Sequence, residues 1–183
     1  GIMKFLICMI LAAPLWAGFN GLAAEALKPV VFKVSVQSFT APVKWKSTPT
    51  ESRMRAAQFT VPGKGKADAG ECVFFYFGPG QAGGAQANLQ RWVQQFAVDP
   101  KPVIKTEEVR HGKTPVVYLF VEGTFMSGPP FGGAKMPKKD YGMSAAILAT
   151  EPGYIFVKMT GPKATGEAAR ADFKKMIESG LKK

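Results

Sequence analysis

The sequence is short of the groups on which most catalytic and metal sites are built. It holds one histidine, His111, and two cysteines, Cys8 and Cys72. A lone histidine has no second imidazole with which to share a metal ion, and no Cys, His or carboxylate spacing of the metal-binding kind occurs. The G-x-S-x-G elbow is absent, so His111 has no strained serine to activate. Acids are few, 13 against 24 Lys and Arg. Asp68, Asp99, Asp140 and Asp172 fall in loops or on a helix face, and Glu107 and Glu108 point to opposite sides of an expected strand. Neither arrangement makes the paired carboxylates of glycoside chemistry. RNP motifs, zinc-finger spacings and basic helices are missing too, which argues against nucleic acid. These absences argue against an enzyme and assign no catalytic residue, metal or cofactor.

What is abundant is positive charge, a formal net +11 with Lys and Arg spread over most of the chain. An excess of that size points to anionic partners: a membrane surface, an acidic cell-wall polymer or an acidic protein. It also serves solubility. At the N-terminus, Met3-Lys4 precede the apolar run 5–13, and small residues follow up to Ala24-Glu25-Ala26. This reads as a secretory signal peptide over residues 1–26, with Leu27 or a near neighbour first in the mature chain. An uncleaved anchor is the alternative, weakened by Pro14 and Asn20. Cys8 is preceded by Phe5-Leu6-Ile7, without the small residue that lipoprotein processing requires. The protein is therefore expected to be exported, periplasmic or extracellular, with no membrane span after cleavage. Residues 27–183 then form a single domain long enough to bury its own core. Its lone Cys72 has no disulfide partner and reads as a buried small hydrophobe.

The densest signal is residues 74–96, FFYFGPGQAGGAQANLQRWVQQF. Val73 to Phe77 form an apolar run that reads as a strand buried on both faces. Leu89, Trp92, Val93 and Phe96 recur at i, i+3, i+4 and i+7, one face of a helix stopped by Asp99-Pro100. Between them Gly78, Gly80 and Gly83 match G-x-G-x-x-G. A dinucleotide site also needs an acid closing a second parallel strand about 20 residues on, where this chain has Asp99-Pro100 and then a lysine-containing segment. Two readings stay open. One is a turn that uses glycine for positive φ and has no ligand. The other is a small-anion site in which free N–H groups at Gly80, Gly83 and Gly84 are assisted by Arg91.

Elsewhere the alternation of Val30, Phe32, Val34 and Val36 predicts one half-buried strand ending at Pro42. Val43 with Trp45, and Ala57 with Phe59 and Val61, predict two more short ones. Residues 63–70 read as a surface loop. Strands at 103–109 and 117–121 flank His111-Gly112-Lys113 as a hairpin, and strands at 145–149 and 154–159 flank Glu151-Pro152-Gly153 as another. Residues 126–141, MSGPPFGGAKMPKKDY, are expected to be an irregular loop, with two readings open: a floppy insertion without a partner, or a loop that presents Phe131, Lys135, Lys138 and Lys139 to one, with Tyr141 anchoring its return. The chain closes with a helix in which Phe173, Met176, Ile177 and Leu181 are in phase, Thr165 is a candidate N-cap and Lys182-Lys183 suit the dipole.

With no βαβ series, this order predicts an α+β fold, a largely antiparallel sheet of about six or seven strands with two packed helices. The VKMTGP strand running into the FKKMIESG helix resembles the end of the PsbP/Mog1-like architecture. MRAAQFTVP, FFYFG...GGAQANLQRWVQQF and YIFVKMTGP together resemble a family of uncharacterised exported bacterial proteins. The second resemblance implies no activity. The first implies a non-catalytic accessory role, and fold alone does not fix function. The sequence thus leads to an exported binding or accessory module whose partner is an anionic protein or envelope component, with small-anion binding at the Gly78–Gly84 turn as the alternative.

Overall fold

A computed structural model describes residues 27–50, 52–80, 83–129 and 131–181; the expected signal peptide and Lys182-Lys183 lie outside the described residues. The fold is α+β. A hairpin of β1 (Val30–Val34) and β2 (Gln37–Ala41) stands apart from a seven-stranded sheet. That sheet is made of β3 (Lys46–Ser47), β4 (Arg55–Val61), β5 (Gly70–Tyr76), β6 (Val103–His111), β7 (Thr114–Ser127), β8 (Met136–Thr150) and β9 (Gly153–Pro162). Their order is β3-β4-β5-β9-β8-β7-β6, and every pairing is antiparallel. The helices are α1 (Ala85–Val93) and α2 (Lys163–Ser179).

Both faces of the sheet are buried because strand residues alternate between two apolar sets. One face places Phe59, Phe74, Tyr118 and Val157 under α2 and the β1–β2 hairpin. Ala169, Phe173, Met176 and Ile177 of α2 fall on one stripe and meet this core. Two charged contacts fix how α2 lies across β6 and β7: Lys174 meets Glu107 at 2.5 Å, and Lys163 meets Glu122 at 3.0 Å. The hydrogen bonds from these lysines hold both carboxyls below the usual range. The other face places Leu119, Ala145, Ile147 and Phe156 under Leu89 and Trp92 of α1.

Four local expectations change. The predicted strand from Val30 to Val36 is split into β1 and β2, because Ser35 takes φ 54° and turns the chain without a glycine. The strand expected at Val43 and Trp45 shrinks to Lys46–Ser47, with Trp45 buried beside it. Helix α1 ends at Val93, and Phe96, although buried with Leu89 and Trp92, bridges Phe125 in extended backbone. Thr165 is not an N-cap. Helix α2 already starts after Pro162, and the Thr165 hydroxyl instead accepts from Lys64 N at 3.2 Å and donates to Asp68 O at 2.8 Å, fastening the 62–69 connection to the helix.

The largest correction is at residues 126–141. Strand β7 runs on to Ser127 and β8 starts at Met136, so only 128–135 lie outside the ladder. Pro137 is tolerated there because this part of β8 has a free outer edge, where a missing N–H costs no ladder bond.

The close of α2 gives a direct test. A Cβ on Gly180 would sit 2.4 Å from the ring of fully buried Phe39, so glycine is required by space and not by φ, which is −89°. Gly180→Ala should lower stability by about 1–3 kcal/mol in urea unfolding, the scale of overpacking in a filled core. Adding Phe39→Leu should return part of it, since the clash is with that ring.

Candidate functional site

At the glycine turn, Gly78, Gly80 and Gly83 take φ 88°, 69° and 69°, so positive φ accounts for all three. Gly80 and Gly83 line an open cavity of about 340 Å³ with Thr150, Glu151 and Tyr154. Glu151 puts negative charge into that cavity, which is unfavourable for an anion. Strand β5 pairs antiparallel with both β4 and β9, so the parallel βαβ unit of a dinucleotide site is not formed here. Gly84 and Arg91 are joined instead through buried Asn88: its amide donates to Gly84 O at 3.0 Å and its carbonyl oxygen accepts from Arg91.

Arg91 belongs electrostatically to a second group that the sequence did not reveal. Gln58, Val73, Lys158 and Ala145 are register partners across β4, β5, β9 and β8 and so share the α1 face. Lys158 Nζ donates to Gln95 Oε1 at 3.3 Å. Beside it Arg55 meets Glu71 at 3.1 Å and Gln58 at 2.8 Å, and Gln58 donates to the other Glu71 oxygen at 3.1 Å. Three cations therefore stand against one carboxylate. Burial first, then the charge of Arg55 and of Arg91, partly offset by Glu71, pushes the Lys158 ammonium down to about 8.

The β7–β8 arm carries the other sequence candidates. Strand β6 pairs with β7 only as far as Glu122, and β9 pairs with β8 only from Tyr141. Beyond these points the two strands continue as a ribbon of their own, with Phe125, Met126 and Ser127 opposite Lys138, Pro137 and Met136. The register shifts at its base, where Lys139 and Asp140 oppose Thr124 and Asp140 takes φ 51°. Such a bulge re-aims a ribbon. Two strands alone are marginal in water, and this pair is braced. Met126 N donates to Gln95 O and Ala97 N to Thr124 O, both at 2.8 Å. Phe96 packs edge-on to Phe125 at 5.4 Å, Phe125 stacks on Tyr141 at 6.0 Å, and Lys138 lies 5.2 Å from the Tyr141 ring centre. Tyr141 thus sits in the brace at the base of the arm. Phe131 is 93% exposed near the tip and Lys135 is exposed just before β8, whereas exposed Lys138 and Lys139 stand at the base of the arm beside Tyr141 and the register shift.

The remaining reactive groups are sequestered or isolated. Cys72 is fully buried, and burial, with Glu71 adding to it, drives its thiol far up, so a thiolate is disfavoured. His111 ends β6, with Nε2 3.4 Å from the Tyr118 hydroxyl. Among the described residues no group of His, Cys, Asp and Glu side chains could hold a metal ion.

Lys158 makes a titration prediction. Its folded value of about 8 lies below the ordinary lysine value, so the unfolded chain holds this proton more tightly. The destabilisation is complete below about pH 8 and is relieved as pH rises from there toward the ordinary lysine value of 10.5. Stability of the native chain should therefore rise across that window relative to Lys158→Met, measured as the difference between two urea-unfolding series. Parallel curves would contradict the assignment.

No protein-family model matches the chain, and no curated protein matches it. Among solved structures it is similar to PA94 from Pseudomonas aeruginosa, a protein of unknown function, with 12% sequence identity, a TM-score of 0.43, and coverage of 82% of this chain and 94% of that one.

Proposed function

We propose that this protein is an exported, non-catalytic module that docks on an anionic component of the cell envelope through the β7–β8 arm. The carrying observation is the arm as a whole: an aromatic ring 93% exposed near its tip, with exposed Lys135, Lys138 and Lys139 along the chain that returns from the tip to the base, on a ribbon braced by Phe96, Phe125 and Tyr141. Phe131 and Met136, 93% and 68% exposed, lie on one projection that also carries exposed lysines, and apolar surface rimmed by charge is the pattern of a contact surface. The net charge of +11 supplies attraction over longer range. The buried, protonated Cys72 supports a role without covalent chemistry. Replacing 128–135 by a two-residue Asn-Gly turn should leave the thermal midpoint within a few degrees and abolish co-sedimentation with isolated envelopes, which high salt should also reverse. Equal sedimentation of the shortened arm would overturn the reading.

The rival reading, a small-anion binder, is favoured by Arg55, Arg91 and Lys158 standing together against Glu71 alone. On that reading inorganic phosphate should raise the thermal midpoint, by an amount equivalent to about 2.7 kcal/mol at a hundredfold excess over Kd. The shift should vanish in Arg91→Ala. No shift in the native chain would remove this alternative.

A further inference from the structure

We infer that the surface met by the arm is an anionic phospholipid bilayer, with Phe131 entering the headgroup region and the lysines on the phosphates. This rests on the docking reading above and names its partner.

The first reason is shape. The arm ends in the 128–135 connection, where Gly128, Gly132 and Gly133 offer no side chain and Phe131 is the most exposed large apolar group among the described residues, with Met136 at 68% exposure where β8 begins. A stable protein interface needs about 800 Å² from each partner, more than a two-stranded tip presents without a partner that wraps it. A bilayer surface deforms around a projecting tip and needs no matching pocket. The second reason is chemistry. An aromatic ring beside long cationic side chains suits the boundary between acyl chains and phosphates, where lysine stems stay in the apolar layer and ammonium groups reach the anions. No acid occurs between Glu122 and Asp140, and Asp140 adjoins Lys139 at the base of the arm, away from Phe131 and Lys135.

The third reason is the layout of the sheet. Antiparallel register brings the 62–69 connection, the start of β6 and the arm to one end, since Val61 faces Gly70, Glu71 faces Thr160, Val103 faces Glu122 and Tyr141 faces Pro162. Exposed Lys64, Lys66 and Lys101 therefore lie at the same end as Lys135, Lys138 and Lys139. The bonds of Thr165 to Lys64 N and Asp68 O hold the 62–69 connection in place. Exposed Asp68, Asp99 and Asp140 lie at that end too, and the six lysines outnumber them. The opposite end carries the Glu151 turn and the glycine turn.

Sedimentation of the full chain with vesicles of equal phosphatidylglycerol and phosphatidylcholine, against vesicles of phosphatidylcholine alone, tests this. Every variant keeps the same N-terminal segment, so differences report the arm. Binding to the mixed vesicles should fall about tenfold in Phe131→Ser. It should fall about a hundredfold when Lys135, Lys138 and Lys139 all become Gln. Phosphatidylcholine alone should bind weakly. In Phe131→Trp, bromine on the upper acyl chain should quench the added fluorescence. These residues are exposed, and an unchanged thermal midpoint confirms the fold. Equal binding by all variants, equal binding to both vesicles, or no quenching overturns the lipid assignment. If the same variants still lose envelope sedimentation, docking survives with an acidic partner other than lipid. If they keep it, both readings fail.

Discussion

The inequality of neighbouring strands governs the rest of the molecule. Strands β7 and β8 have 14 and 15 residues, whereas the flanking β6 and β9 have 9 and 10. Antiparallel pairing forces the surplus of the two long strands out at one end, and the same ladder that holds the core continues into the projection. The arm is therefore a continuation of β-structure with a braced root, rather than a loop hung between two strands. The rings of Phe96, Phe125 and Tyr141 replace at its root the neighbouring strands that it has outgrown.

Most of the fold was legible because its turns are short and chemically marked. His111-Gly112-Lys113 and Glu151-Pro152-Gly153 sit between alternating runs, and both hairpins form there. The α2 stripe was legible for the same reason, a clear 3.6-residue period. The β1–β2 turn was hidden because Ser35 reaches φ 54° without glycine, so continuous alternation on either side resembled one strand. The arm was hidden because proline, glycine and lysine mark loops on average and also mark a strand whose outer edge is free, as that of β8 is here. Phe131 and its lysines could still be found, since their composition did not depend on the secondary structure around them.

The Lys158 group shows a different limit. In YIFVKMTGP the lysine occupies one position of an apolar strand, and alternation assigns it to the face of Phe156. What covers that face is settled by the packing of α1, which brings Gln95 and Arg91 over it from about sixty residues away in sequence. The ammonium is then half removed from water among two guanidinium groups, with a single carboxylate already shared by Arg55 and Gln58. Burying charge on such terms is unfavourable unless something compensates it.

The two cationic regions therefore relate differently to stability. At the arm's tip the Phe131 side chain is 93% exposed and takes no part in the core, so contact with a partner and the energy of folding are separable there. Phe131 can be changed with little effect on folding, because its ring meets water in the free protein. Beneath α1 the two are coupled. Any change that removes charge from Lys158 relieves strain in the free fold, and any anion that pairs with it does the same. A docking surface that must bind and release works best with the first arrangement, where no folding energy changes on contact. That separation, together with the lysines gathered at the same end of the sheet, is why the arm and not the buried cluster carries the functional reading.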